Sequence, residues 1–343
     1  MLARALLGLV VASLLVAQAP APKGEAQPSA QEQPTLRVQV NEVIVPVTVT
    51  DVKDRFVSNL DVQDFKIFDE GRQQKIVYFS RERNQPVVVG FLLDMSNASR
   101  LHWQKFQEAA LELVFNLLPG DDKRFSGYLI TYANDAELVV DTTDDSEKIA
   151  DKIRKLKPGG GAALYDAVYM ACKRRKLING EPFEPRRILI IIGDGHDTAS
   201  SKSLAEVLEL AQRNLVTIYG MSTVAFGSYG EGEANLKKLC EETGGRVEYP
   251  LQQVYTDVAG YLSQPSDEGN YAYKVGTGQY AAALAKSIFD SVAALAGEVT
   301  TQYILRYVPD VTDTSKTFRQ IRVEVDLPNV KIRHRLGYYP ENP

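Results

Sequence analysis

Six side chains in this sequence have the types and spacing to do chemistry. "FLLDMSNASR" (91–100) is an apolar run that ends in Asp94, with the hydroxyls of Ser96 and Ser99 close behind. "GDGHD" (193–197) closes a second apolar run with Asp194, His196 and Asp197. Carboxylate and hydroxyl oxygens at strand ends are the ligands that a hard cation such as Mg²⁺ or Mn²⁺ takes. The same residues have a plainer use. Asp or Ser after a strand caps the next helix, whose free N–H groups and dipole favour an acceptor or a negative charge. A third use is catalytic, because His196 between two acids has the composition of a general base. A hydrolase working through Asp194, His196 and Asp197 is thus an alternative. Against it, the chain has no G-x-S-x-G turn, and His102 and His334 lie far off in sequence.

The elements that must position these groups can be read from hydropathy. "VVVGFLLD" (87–94) and "RILIIIGD" (187–194) are continuous apolar runs, the pattern of strands buried on both faces. Further strands are expected at 126–133, 136–141, 215–220 and 244–250. Helices are expected at about 98–118, 145–156, 159–177, 201–213, 232–243 and 280–297. Strands alternating with helices imply an α/β fold with a doubly wound, mostly parallel sheet. Ligands of such sheets sit beyond the carboxyl ends of the strands, where Asp94, Ser96 and Asp194 fall. "GGG" at 159–161 opens a helix, as a phosphate cradle does. It lacks the Lys-Ser/Thr of a nucleotide loop, and a tight strand-to-helix turn explains its glycines better.

Both ends of the chain have a different texture. Alternating runs at 36–51, 65–71 and 74–82 and at 301–309, 318–328 and 330–340 read as half-buried strands. Neither end has enough strands to close a core alone, but six or seven together suit a β-sandwich. The expected organisation is a sandwich from residues 35–85 and 298–340, with the α/β domain, 86–297, inserted between its halves. The stretch 262–279 is expected as a surface loop.

The constellation resembles the von Willebrand factor type A (vWA) domain. That family's metal-ion-dependent adhesion site uses a D-x-S-x-S turn, a threonine in a G-G-T-A-L-Y-D-A-like stretch and an aspartate in a T-D-G-like turn. The matching stretches are "DMSNA" (94–98), "GGAALYDA" (160–167) and "GDG" (193–195). The flanks, "VNEVIVPVTVTDVKDRFVSNLDVQDFKIFDEGRQQKI" (40–76) and the C-terminal strands, resemble a family of exported vWA-related proteins best known from Acidobacteria. The resemblance implies a non-enzymatic module that binds a protein partner at the top of the sheet, through Asp94, Ser96, Ser99, Asp194, His196 and Asp197. It carries Asp94, Ser96 and Asp194 over as metal ligands. Ala98 and Ala162 stand where the family has a serine and a threonine, so the implied site is degenerate, holding Mg²⁺ or Mn²⁺ weakly or no metal. Ser99 lies one residue too far to replace Ala98 unless the helix start shifts.

Bulk properties narrow the partners. A net charge of −5 supplies no basic face for nucleic acid, and "KRRK" (173–176) reads as a solvated helix face. Arg4 followed by the apolar "LLGLVVASLLVA" (6–17) reads as an export signal, too short to anchor the chain in a bilayer. The expected signal is 1–19, with the cleavage point open among Ala19, Ala21 and Ala26. No cysteine is near enough for lipid attachment. Residues 20–34, rich in Pro, Ala and Gln, read as a disordered tether. The product is expected in the periplasm or outside the cell. Cys172 and Cys240 are expected as two separate buried thiols rather than a disulfide framework.

Overall fold

The two apolar runs lie side by side at the centre of a sheet. β5 (Val87–Asp94) and the later strand β8 (Arg186–Gly193) pair in parallel, Leu93 opposite Ile192, and every residue of β5 is buried. The computed structural model describes residues 42–81, 86–173, 185–224, 230–252, 277–309 and 318–340, all within one compact unit, Val40–Pro343. The expected export signal and tether, and most of the 262–279 loop, lie outside the described residues.

The six-stranded sheet adds β6 (Phe125–Tyr132), β7 (Ala136–Thr143), β9 (Val216–Ser222) and β10 (Val247–Glu248), in the order β10-β9-β8-β5-β6-β7. β7 alone runs antiparallel, at one edge. Because side chains alternate across a strand, β5 feeds two cores. Val87, Val89, Phe91 and Leu93 pack with α1 (Trp103–Leu117), α2 (Ser146–Ile153) and α6 (Thr277–Thr301). Val88 and Leu92 pack with α3 (Leu164–Cys172), α4 (Leu204–Arg213) and α5 (Glu231–Thr243). Each such buried aliphatic side chain stabilises the fold by about 1.5–3 kcal/mol. This is the doubly wound, mostly parallel α/β sheet that the alternating pattern implied. Cys172 and Cys240 are both free and buried. Burial pushes the Cys172 thiol up to about 12 and that of Cys240 well above its ordinary range.

Two four-stranded antiparallel sheets complete the unit, each drawing strands from both ends of the sequence. One has β1 (Val43–Thr50), β4 (Ile76–Ser80), β11 (Tyr303–Tyr307) and β13 (Lys331–His334) in the order β13-β1-β11-β4. The other has β2 (Phe65–Asp69), β3 (Arg72–Gln74), β12 (Arg319–Val325) and β14 (Gly337–Tyr338), ordered β14-β12-β2-β3. Val43, Val45, Val47 and Val49 share a core with Phe65, Ile67, Ile321 and Val323, so the sheets face each other as a sandwich. Inside it Asp69, fully buried, accepts from the Tyr307 and Tyr338 hydroxyls at 2.9 Å each and from Arg319 Nε at 2.9 Å.

The sandwich has eight described strands rather than six or seven. The run 330–340, read as one strand, divides at Arg335. β13 pairs with β1 in one sheet and β14 with β12 in the other. The chain bends there because buried Arg335 donates to the Leu215 carbonyl at 3.0 Å, while Gly244 leaves space for its backbone. Hydropathy cannot register that crossing, since the alternation of apolar and polar residues runs on through it.

Sandwich and α/β sheet meet around Glu298 of α6, 5% exposed. Its carboxylate accepts from Thr48 of β1 at 3.1 Å, Arg333 of β13 at 2.8 Å and Arg246, just before β10, at 2.7 Å. Gln302 links Thr48 (3.0 Å) to the Tyr219 hydroxyl (2.9 Å). Removing one partner of a buried ion pair strands the others without a counter-charge. Glu298→Ala is therefore expected to cost about 3 kcal/mol in urea unfolding, near the lower end for such groups because both arginines keep some solvent. A loss below about 1 kcal/mol would show that the junction does not hold the unit together.

Candidate functional site

The site begins with register. In the parallel pair β5/β6, Asp94 stands opposite Tyr132, and the β5/β8 register brings Gly193 beside Asp94. In-register neighbours project to the same face of a sheet. The Tyr132 ring extends along this row. A Cβ on residue 193 would lie 2.2 Å from the Tyr132 hydroxyl and 2.9 Å from Asp94 Cβ. Glycine at 193 therefore makes room for a phenol over the strand ends.

Asp94 is 1% exposed. Its Oδ1 accepts the Ser96 N–H at 2.7 Å. Burial holds its pKa above the ordinary carboxylate range and the Asp194 charge adds to that, while the Ser96 N–H pulls the other way. The following loop is tied on both sides. Met95 N–H donates to the Tyr132 carbonyl (2.8 Å), Gly159 N–H to the Met95 carbonyl (2.6 Å) and Asn97 N–H to the Gly160 carbonyl (3.0 Å). The chain then makes a 3₁₀ turn, Ala98–Leu101, and the α-helix starts only at Trp103. This delay is the shift that Ser99 needed: Ser99 is buried, and Ala98 faces solvent.

Four buried oxygens here have no hydrogen-bond partner among the described residues: Asp94 Oδ2, Ser96 Oγ, Ser99 Oγ and the Tyr132 hydroxyl. Burial, with the charges of Asp94, Asp194 and Asp197 nearby, pushes the Tyr132 phenol well above its ordinary range, so it stays protonated.

The loop after β8 makes the opposite wall. Asp194 accepts the His196 N–H at 3.0 Å through Oδ1, and its Oδ2 lies 3.1 Å from His196 Nδ1. Gly195 has φ +79°, and a Cβ there would sit 2.1 Å from the Gly232 carbonyl of α5, so this position also requires glycine. Asp197 has a structural task. Its Oδ2 accepts the Tyr165 N–H (2.9 Å) and the Ser200 hydroxyl (2.6 Å), while Ser200 Oγ accepts the Asp166 N–H (2.9 Å). Together they satisfy the start of α3, where no residue of its own N-cap does so. Ala162 is tied to the same loop: its N–H donates to Thr198 Oγ1 (2.9 Å) and its carbonyl accepts the Thr198 N–H (2.8 Å). The glycine turn spends its amides internally, Gly159 on Met95 and Gly161 on Asn134 Oδ1 at 2.7 Å. An anion would have to displace those bonds.

The fold thus gathers Asp94, Ser96, Ser99 and Asp194, with half-exposed His196 at the rim and Asp197 engaged in a cap. Among the described residues no three His, Cys, Asp or Glu side chains group as a metal site. What the site offers instead is two carboxylates with hydroxyls, a donor set suited to Mg²⁺ or Mn²⁺. Sequence reasoning missed Tyr132 and Thr198. Tyr132 closes an apolar run like any core aromatic, and only the β5/β6 register reveals its neighbour. Thr198 stood in a polar loop without any spacing to mark it.

A parallel sheet between two helical layers, with an Asp-x-Ser turn and an aspartate at adjacent strand ends, defines a class. Residues 89–196 match the model of the von Willebrand factor type A domain. The chain is similar in structure to an aerotolerance-related membrane protein from Bacteroides fragilis NCTC 9343, at 19% identity and a TM-score of 0.38, covering 47% of this chain and 90% of that one. It is also similar to BatB from Bacteroides thetaiotaomicron, at 17% identity and a TM-score of 0.38, covering 58% and 99%. A third similar structure is proximal thread matrix protein 1 from the mussel byssus with a zinc-occupied adhesion-site motif, at 18% identity and a TM-score of 0.38, covering 53% of this chain and 46% of that one. The search of curated proteins gave no match.

The charge state of Asp94 has a measurable consequence. A carboxyl whose folded pKa is raised above its ordinary 3.8 is favoured by the fold more in its protonated than in its ionised form. It therefore costs stability as pH rises through that raised value. Asparagine keeps an acceptor for the Ser96 N–H and carries no charge. In EDTA, Asp94→Asn is expected to unfold at higher urea than the wild type at pH 7, and the difference should shrink toward zero by about pH 3. A variant less stable than wild type at pH 7 would contradict this reading.

Proposed function

We propose that the chain is an exported, non-enzymatic interaction module that binds a protein partner at the strand ends carrying Asp94, Ser96, Ser99 and Asp194, with a metal site that lacks two of its family's ligands. The observation that carries this reading is Leu101. It is 78% exposed and closes the 3₁₀ turn that begins at Ala98, so an apolar side chain stands in water beside buried, unpaired oxygens. Apolar anchors next to directional polar groups are how interfaces combine affinity with specificity. Asp197 spends Oδ2 on the α3 cap and Oδ1 on the Ser200 N–H of its own loop, so Asp194, His196 and Asp197 do not form one relay. That weighs against the hydrolase. Export rests on the apolar stretch at 6–17. Among the described residues no helix is long and apolar enough to cross a membrane.

A second reading places the contact on the sandwich. β4 is an edge strand and carries Val77 at 48% exposure, and edge strands pair readily with other chains. A photoreactive residue installed at 101 or at 77 in the full-length chain, irradiated in its host cells, separates the two. A discrete adduct from 101 is expected. Adducts from 77 alone would move the partner to the sandwich, and none from either position would overturn the reading.

A further inference from the structure

A cleft opens between the sandwich and the α/β sheet where β8 begins. Its walls come from both parts: Ile44, Arg306 and Arg335 from the sandwich, and Arg186, Arg187 and Leu215 from the α/β side. Gly193 ends the same strand, so the rise of an extended chain puts this cleft about 20 Å from the row that carries Asp94. The cavity holds about 30 Å³, room for about two or three waters.

The guanidinium groups that line it are unequally matched. Arg306 has the exposed Glu42 carboxylate at 3.6 Å and lies over the Tyr78 ring at 4.7 Å. Arg187 donates to the Asn214 carbonyl at 3.3 Å. Arg186 and Arg335, by contrast, have no carboxylate partner among the described residues. Arg186 donates through one nitrogen to the Val299 carbonyl at 3.0 Å and to the Gln302 side chain. Arg335, 2% exposed, donates to the Leu215 carbonyl at 3.0 Å. The Nε–H of each is buried and has no hydrogen-bond partner among the described residues. Burial lowers the pKa of both, to about 10, which still leaves two cations at neutral pH.

We propose that this cleft binds a small, doubly charged oxyanion of the phosphate or sulfate class, free in solution and held by Arg186 and Arg335. Three arguments support it. The first is charge. A buried cation without a counter-charge is strongly destabilising, and one dianion answers two of them. The second is donor geometry. A guanidinium carries five N–H groups in a planar fork that matches oxyanions two bonds at a time, and both side chains keep donors to spare. The third is the setting. Ile44, Pro46, Ile188 and Leu215 make much of the wall apolar, which strengthens the attraction between opposite charges, and the small volume suits a free ion. Because both parts of the molecule build the cleft, its occupant fastens sandwich to α/β sheet. The site is independent of the interaction face proposed above.

The full-length protein is dialysed to equilibrium against radiolabelled inorganic phosphate at fixed ionic strength, and its thermal unfolding is followed in the same buffers. The wild type is expected to take up one phosphate per chain, displaced by sulfate but not by chloride. Its unfolding temperature is expected to rise and level off as the site fills, since a ligand bound only by the folded state stabilises it. Arg186→Gln and Arg335→Gln are each expected to weaken uptake about tenfold or more, because hydrogen bonds to charged groups are the strong ones. Arg72→Gln, at an exposed position of β3, is expected to bind like the wild type. Each variant's urea midpoint without phosphate verifies that it folds. Should either glutamine variant fail to fold, Ile44→Glu, which sets a carboxylate on the cleft wall as an internal counter-ion, takes its place and is expected to abolish uptake. Absence of uptake by the wild type would overturn the proposal. So would uptake that chloride displaces as well as sulfate does, or uptake indifferent to the folded cleft variants. A rise in unfolding temperature that never levels off, shared by all variants, is the general effect of excluded anions and would also overturn it.

Discussion

The Glu298 carboxylate is the joint of this molecule. Within hydrogen-bonding distance it collects a threonine and an arginine from the sandwich and an arginine from the α/β side. A buried carboxylate is costly unless charge and hydrogen bonds surround it, and a group so surrounded tolerates little displacement. Strands from the two ends of the sequence must be folded together before Thr48 and Arg333 can both reach it. The Asp69 cluster works alike inside the sandwich, tying β2 to β11, β12 and β14 through two tyrosines and an arginine. The ends of the chain are thus coupled twice through buried charge, and an inserted α/β domain is anchored on a base that cannot close without both of them.

What that anchoring presents is the row of strand ends at Asp94, Tyr132 and Gly193. Parallel pairing of β5, β6 and β8 places these ends at one edge of the sheet, and the loops after β5 and β8 fix each other. Gly159 and Gly160 hold the first loop, and Thr198, by pairing with Ala162, holds the second. Ala162 takes part by its backbone alone. Nearby, Ser99 is buried and Ala98 faces solvent.

The sequence pattern and the structure part ways at particular residues. Continuous apolar runs at 87–94 and 187–194 identified the central strands because burial on both faces leaves no polar positions. Alternation identified the sandwich strands because only one face meets a core. The division at Arg335 escaped notice, since nothing in hydropathy marks a strand that changes sheets. The helix expected from about 98 starts at Trp103, because a 3₁₀ turn and an α-helix draw on the same residue types. Asp197 read as chemistry and acts as the cap of α3, a helix more than thirty residues away in sequence.

The sequence by itself determined the fold class, the two-part texture of the chain, the order of strands and helices, and the acids at the strand ends. These are consequences of local hydropathy period and turn chemistry, which depend on neighbours along the chain. The tertiary structure alone decided which oxygens share a space. Parallel register set Tyr132 and Gly193 beside Asp94, and loops tied across the sheet turned Ser99 inward and Ala98 out. Those outcomes depend on pairing between segments from about 40 to 100 residues apart, and no pattern within a single segment records it.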